Sequence, residues 1–287
     1  MRILENEPMS AHTTFRIGGA ARFYTIPENP GEIRESIRFA KAQGLPFITI
    51  GKGSNVLFSD EGYHGVVIEI GSGMEKIDFL DRRRLRAQAG VALGTLAGAA
   101  ARHSLTGLEF ASGIPGTLGG AVTMNAGAYG GEIRDCIVSA VVLDENGDEW
   151  ELDNKALELG YRSSIIQKKG YIVLSAVFEL QEGKEEEILA KMKELNARRR
   201  EKQPLEFASA GSTFKRPEGH FAGKLIEDAG MRGYRSGDAQ VSEKHCGFVI
   251  NRGNATSLDV QNVIRDVQKR VQEMSGILLE PEVKIIR

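Results

Sequence analysis

The chain has 287 residues, 41% hydrophobic and 26% charged, with 37 Lys and Arg against 39 Asp and Glu and a formal net charge of -2. This balance allows a substantial core and argues against non-specific attraction to nucleic acid or to a membrane surface. Cys136 and Cys246 match no metal-ligand spacing, the opening MRILENEPMS has no apolar signal run, and GVALGTLAGAAA is too short to span a bilayer, so a soluble, cytoplasmic protein is expected.

An extended TTFRIGGAARFYTIP precedes a helix predicted over Pro30–Gly44, where Ile33, Ile37 and Ala40 share a face and Gly44 is the stop. LPFITIG reads as a buried strand entering GKGSNVLFSD. Strands are expected at GVVIEI and RLRAQAG, then a small-residue helix at LGTLAGAAARHS. A glycine-rich stretch follows, and then a hairpin in which CIVSAVVLD and EWELD flank ENGD, whose Asn-Gly is a strong turn signal. YIVLSAVFEL is another strand. A charged helix over Lys184–Lys202 places Ile188, Met192 and Leu195 on one face, and Pro204 marks a boundary. Beyond it come a short helix in GHFAGKLIEDAG, a strand at CGFVIN and a long amphipathic helix opened by Ser257 and closed by Gly276. The end, LEPEVKIIR, reads as a strand that puts Glu280 and Glu282 on one face. Without a steady βαβ rhythm, the class is α+β rather than a doubly wound sheet.

Two glycine loops carry the first chemical signal. GKGSN (Gly51, Lys52, Gly53, Ser54, Asn55) follows a strand and is neither a Walker A nor a G-x-G-x-x-G sequence. It suits either a tight turn or the close approach of backbone amides to an anion. The second loop runs Ser112, Gly113, Ile114, Pro115, Gly116, Thr117, then Gly119, Gly120, Ala121, Asn125 and Gly127. So much bare backbone suits a flat group or a diphosphate, and two such loops in one chain favour a dinucleotide over unrelated turns. The cluster Arg198, Arg199, Arg200, Lys202 either meets the negative end of its helix dipole or grips a phosphate through Arg199 and Lys202. Ser212 in AGSTFKRP sits in no nucleophile elbow. The five histidines show no spacing to it or to one another, so neither a hydrolase triad nor a metal site is expected. Arg162 in GYRSS is an ordinary loop residue by itself.

Taken in order, TTFRIGG, GKGSNVLFSD, SGIPGTLGGAVTMNAGAYGGE, YRSS, RRREKQP, AGSTFKRP, AGKLIEDAG, SEKHCGFVIN and LEPEVK resemble the UDP-N-acetylenolpyruvoylglucosamine reductases, over residues 13 to 284. The resemblance implies an α+β fold with a two-lobed FAD-binding domain of the PCMH/vanillyl-alcohol-oxidase-like kind and a smaller α+β substrate-binding domain. The lobes would occupy 1–70 and 71–200, with a strand at 281–287 returning to the flavin region, and the substrate domain 201–280. It also implies non-covalent FAD in the glycine loops, reduced by NADPH, and hydride transfer to the enolpyruvyl ether of a UDP-sugar. Charge then builds on the carbon bearing the carboxylate. Such a carbanion is basic enough to take a proton from an ordinary alcohol, which would make Ser212 a general acid that needs no histidine. By the same resemblance Arg162 offsets the developing charge and Glu282 hydrogen-bonds the enolic carboxylate. Arg199, Lys202, Lys215 and Tyr161 bind substrate. Arg216 departs from the pattern, many relatives having Asn there, as do Cys246 and Gly247. The short segment between Arg162 and Arg199 matches the shorter class that lacks a tyrosine loop over the substrate. A monomer acting on a small molecule is expected. An oxidase on the same scaffold and a non-catalytic flavin-binding module are the alternatives.

Overall fold

The structure is a computed structural model covering residues 1–287. Compactness gathers the chain into two units. The first comprises Met1–Leu4, Tyr24–Lys52 and Gly65–Arg199, and the second Glu5–Phe23, Gly53–His64 and Arg200–Arg287. Helices and strands mix in both, as an α+β class requires.

Two sheets contribute strands to the first unit. One runs in the order Arg2–Pro8, Ala20–Ile26, Tyr63–Glu69, Phe47–Ile50, the last two strands parallel. The helix Pro30–Ala42 connects Ala20–Ile26 to Phe47–Ile50, and the chain joining the parallel pair, residues 51–62, carries the strand Val56–Phe58. Asn29 caps that helix by accepting the Glu32 N–H at 3.0 Å, with Pro30 in the first turn where a missing N–H costs nothing. Its buried face is Ile33, Ser36, Ile37 and Ala40, the 3.6-residue pattern read from sequence. The other sheet is fully antiparallel, in the order Glu149–Asp153, Ile137–Leu143, Ile172–Glu179, Arg84–Gln88, Ile77–Phe79. Its first pair is the hairpin expected at Asn146-Gly147, where Gly147 takes φ 86. The short helix Leu118–Thr123, cut from the glycine-rich stretch, packs on the strand Ile172–Glu179.

The second unit is a sheet in the order Ala208–Ser212, Phe248–Asn251, Ala239–Val241, Arg235–Ser236, with the helix Ser257–Ser275 against it. Val260, Val263, Ile264, Val267 and Val271 form one buried helical stripe that joins Phe15, Leu57, Val249 and Leu279 in a common core. Each such side chain contributes about 1.5–3 kcal/mol by leaving water. The cap lies one residue earlier than expected. Thr256, not Ser257, accepts the Asp259 N–H, and the Asp259 carboxylate returns the bond to the Thr256 N–H, a closed capping box. Asp60 accepts the next two amides, of Ser257 and Leu258. The terminal strand is also shorter than expected. It spans Lys284–Ile286, parallel to Val56–Phe58, while Leu279–Val283 holds only an isolated bridge from Pro281 to Phe214. At that bridge the Lys215 N–H donates to the Glu280 carbonyl and the Glu282 N–H to the Thr213 carbonyl, so Pro281 sits where its missing N–H costs no ladder bond. No helix is long and apolar enough to cross a membrane.

Candidate active site

In the first unit Gly51, at the start of the first glycine loop, meets the second loop at Thr117. A Cβ on Gly51 would stand 2.2 Å from the Thr117 hydroxyl oxygen, so this contact exists only because position 51 is bare. Thr117 is itself buried, while Gly120, one helical turn on, faces open space with nothing within 4 Å of an added Cβ. At Gly113 a Cβ would collide with the Asn196 side chain at 2.2 Å and approach Arg199 Nε to 3.1 Å. The end of the charged helix Glu185–Lys202 therefore lies directly on the second loop. Arg199 Nε is buried without a hydrogen-bond partner. Burial holds the Arg199 pKa below its usual value, partly opposed by Tyr129, and an arginine remains charged at neutral pH even so. Tyr129, whose ring lies 5.9 Å from the Arg199 guanidinium, takes φ 54. It was not singled out in the sequence, although its place in GAYGG is the available signal.

The loop carrying Arg162 is fastened to the same stretch. Asn125 is 1% exposed, and its amide donates to the Gly160 carbonyl and the Glu132 carboxylate, both at 3.0 Å. Its side-chain oxygen accepts the Arg134 N–H at 2.9 Å. The Ser164 hydroxyl and the Gln167 amide both donate to the Thr123 carbonyl, and Gln167 also reaches the Arg162 carbonyl. Arg162 itself takes φ 52, a left-handed conformation uncommon for a non-glycine residue, and its guanidinium donates to the Gly127 carbonyl at 3.4 Å. Tyr161, half exposed, lies beside it with the guanidinium 5.5 Å from its ring. Asn125, expected to touch cofactor, thus makes its resolved bonds to the protein. Around the loop, Ser112 bonds the Glu109 carbonyl, Ile114 the Ala111 carbonyl, and Ala121 is buried.

In the second unit Ser212 ends the strand Ala208–Ser212 just past a register irregularity, with Gly211 at φ 76. A bulge of this kind re-aims the residue after it. The next residue, Thr213, is 2% exposed and bonded on three sides. Its N–H donates to the Gly247 carbonyl at 2.8 Å, its hydroxyl accepts the Val249 N–H at 2.9 Å, and its carbonyl accepts the Glu282 N–H at 2.7 Å. Ser212 and Glu282 are thereby fixed to one buried junction. Asn55, from the end of the first glycine loop, donates to the Glu282 carbonyl at 3.2 Å and accepts the Lys284 N–H at 3.0 Å. Lys215 pairs through Nζ with Glu280, and its N–H donates to the Glu280 carbonyl. The Gly247 N–H is held by His245 Nδ1 at 3.1 Å, and burial lowers the His245 pKa. Arg162 and Arg199 belong to the first unit, Ser212, Glu282, Lys215 and Lys202 to the second, with Lys202 and Lys52 exposed. Thr213 was not legible in the sequence, because nothing in AGSTFKRP distinguishes a buried threonine from a surface one.

Comparison with known proteins fits this picture. An FAD-binding-domain family model matches residues 21–153, and the model for the C-terminal domain of UDP-N-acetylenolpyruvoylglucosamine reductase matches 203–286. The fold and its glycine-rich domain define an FAD-containing oxidoreductase with a separate C-terminal domain. The chain is 55% identical over 288 residues to the UDP-N-acetylenolpyruvoylglucosamine reductase of Lachnoclostridium phytofermentans, covering 99% of this chain and 93% of the relative. It is 50% identical to the same reductase of Clostridioides difficile, covering 98% and 92%. The crystal structure of the Thermus caldophilus reductase superposes with a TM-score of 0.86 at 35% identity, covering all of both chains. The chain belongs to the UDP-N-acetylenolpyruvoylglucosamine reductase family, flavoproteins of peptidoglycan synthesis, and this decides for the reductase over the oxidase and the non-catalytic module.

Proposed function

We propose that the chain reduces the enolpyruvyl ether of UDP-N-acetylglucosamine enolpyruvate with NADPH through bound FAD, Ser212 giving the proton that completes the product. The observation that supports this most directly is the junction at Thr213, which ties the serine and Glu282 to one buried point. The residues of the first unit suit FAD. The seam between Gly51 and Thr117 is bare, the space over Gly120 is open, and the buried Arg199 Nε is a donor in search of an acceptor. Gly51, Lys52, Gly53, Ser54 and Asn55 would hold it with the loop from Ser112 to Gly127. FAD, when bound, supplies the hydride-transfer chemistry.

The protein's own groups do the rest. Ser212 presents an O–H to the substrate carbon that bears the carboxylate, and the alkoxide left behind is reprotonated from solvent. Arg162 offsets the negative charge that develops on that carboxylate, an interaction stronger in the transition state than in the ground state. Glu282 orients the same carboxylate. Arg199, Lys202, Lys215 and Tyr161 bind the sugar nucleotide. Within this reading 1–70 and 71–200 are the flavin lobes and 201–280 the substrate domain, and the enzyme works as a cytoplasmic monomer without nucleic-acid or membrane partners.

The test is Ser212→Ala. NADPH should still bleach the flavin absorbance, while turnover with UDP-N-acetylglucosamine enolpyruvate falls at least about a hundredfold, the usual scale for a lost general acid. Unchanged turnover removes Ser212 from this role.

A further inference from the structure

Ser212 lies on an edge. The strand Ala208–Ser212 stands at one end of its sheet, so one side of its backbone has no neighbouring strand. Its ladder with Phe248–Asn251 pairs Ala208 with Asn251 and Ser209 with Ile250, then resumes only at Ser212 with Phe248. Ala210 and Gly211 therefore stand opposite the single residue Val249, and the serine follows directly. A bulged edge strand is held weakly by its own ladder, and a slip there re-aims every side chain beyond it.

The open side is held by Thr14, 195 residues before Ser209 in the chain. The Ser209 N–H donates to the Thr14 carbonyl at 3.1 Å, and the Thr14 hydroxyl donates to the Ser209 carbonyl at 2.6 Å. In an antiparallel ladder the second bond would come from the main-chain N–H. That N–H is committed elsewhere, to the Gly53 carbonyl of the first glycine loop at 3.2 Å. The loop is pressed onto the same segment, for a Cβ on Gly53 would stand 2.2 Å from the His12 carbonyl oxygen and 2.9 Å from Thr13 Cα. All of these residues belong to the second unit. Thr14 thus bonds both the glycine loop and the serine strand, and its hydroxyl is what frees its amide for the loop. A residue without a hydroxyl can hold the loop or close the ladder, not both.

We propose that Thr14 is a positioning residue for the reduction, fixing the proton-donor strand in register with the loop that would hold FAD. This rests on the functional reading above. Thr14 acts in this role only through Ser209 and Gly53, so its loss must appear in the step that uses Ser212 and not in the reduction of the flavin.

Thr14→Val in the FAD-loaded enzyme deletes the hydroxyl, nearly keeps the shape and leaves both main-chain bonds in place. In rapid-mixing measurements, flavin reduction by NADPH should stay within about twofold of wild type, since the Gly53 bond survives. Flavin reoxidation by UDP-N-acetylglucosamine enolpyruvate should slow about tenfold, a small displacement of the proton donor being enough for that. The solvent deuterium isotope effect on reoxidation should rise, because the proton that moves is the exchangeable one on Ser212. Without any turnover, the Ser209 amide should exchange with deuterated solvent about fivefold faster, as expected for one lost hydrogen bond. Thr14→Ser, which keeps the hydroxyl, should return all of these readings towards wild type. Equal slowing of both half-reactions, an unchanged isotope effect, loss of the fold in Thr14→Val, or a Thr14→Ser no better than Thr14→Val overturns the proposal. Failure of the wild type to turn over this substrate overturns the functional reading instead, so the two failures are distinct.

Discussion

Arg162 in the first unit and the pair Ser212 and Glu282 in the second are held by opposite means. Arg162 sits on irregular backbone at φ 52, and its loop is fastened by side chains, those of Asn125, Ser164 and Gln167. Ser212 and Glu282 are fastened mainly by main-chain bonds converging on Thr213, with one buried hydroxyl among them. The first arrangement can be loosened by a single side-chain substitution away from the reacting atoms. The second resists such changes, because most of its bonds survive any substitution that keeps the amide and carbonyl.

The largest expected effect separates activity from stability at Arg162. Arg162→Gly removes the cation but supplies a residue at ease in the left-handed region. Turnover should fall about 10²–10³-fold, the scale for losing one group that stabilises transition-state charge. Stability by urea denaturation should hold or improve by up to about 1 kcal/mol, since an L-residue there carries local strain. A drop in stability alongside activity would mean that the loop depends on the arginine for its shape.

Asn125→Ala tests the side-chain fastening itself. It leaves the Gly160 carbonyl and the Arg134 N–H without their buried partner, so unfolding should be easier by about 1–3 kcal/mol. Turnover should fall with it although Asn125 touches no reacting atom, because the loop that carries Arg162 is then unmoored. Intact activity would equalise the two regions and remove the contrast.

The same contrast explains what could be read from the sequence. The helices and the hairpin were legible because period and turn chemistry are local. Ile33, Ile37 and Ala40 fall on one face, and Asn146-Gly147 turns where expected. The site residues themselves were reached through motif order, not through physics. Their roles depend on contacts at long sequence separation, such as Thr213 with Glu282 or Asn125 with Gly160. Where local rules failed, a neighbour had taken over the task. Ser257 looked like the cap, yet Thr256 had the partner, Asp259, at the right spacing. The terminal strand looked continuous from Leu279, yet beyond the bridge at Pro281 only Lys284–Ile286 pairs, with Val56–Phe58.

The smallest effect concerns pH and the second unit's junction. His245 Nδ1 accepts the Gly247 N–H, and the Gly247 carbonyl accepts the Thr213 N–H, so the junction is complete only while the imidazole is neutral. Burial lowers the folded-state pKa of His245 below its ordinary value. As pH falls below about 6.5 the unfolded chain takes up a proton that the folded state resists, so the unfolded state binds more protons and stability declines. This contribution is fully present above that pH and is lost as pH falls through the folded-state value. The carboxylates held below their ordinary range, such as Asp81, lose their contribution only at lower pH, so the two windows separate. Urea midpoints measured from pH 7.5 down to about 5 should decline in the wild type and flatten in His245→Asn, whose side-chain oxygen can accept the same amide without titrating. An equal slope in both proteins would show that the imidazole does not guard the junction, and that the backbone bonds around Thr213 hold it unaided.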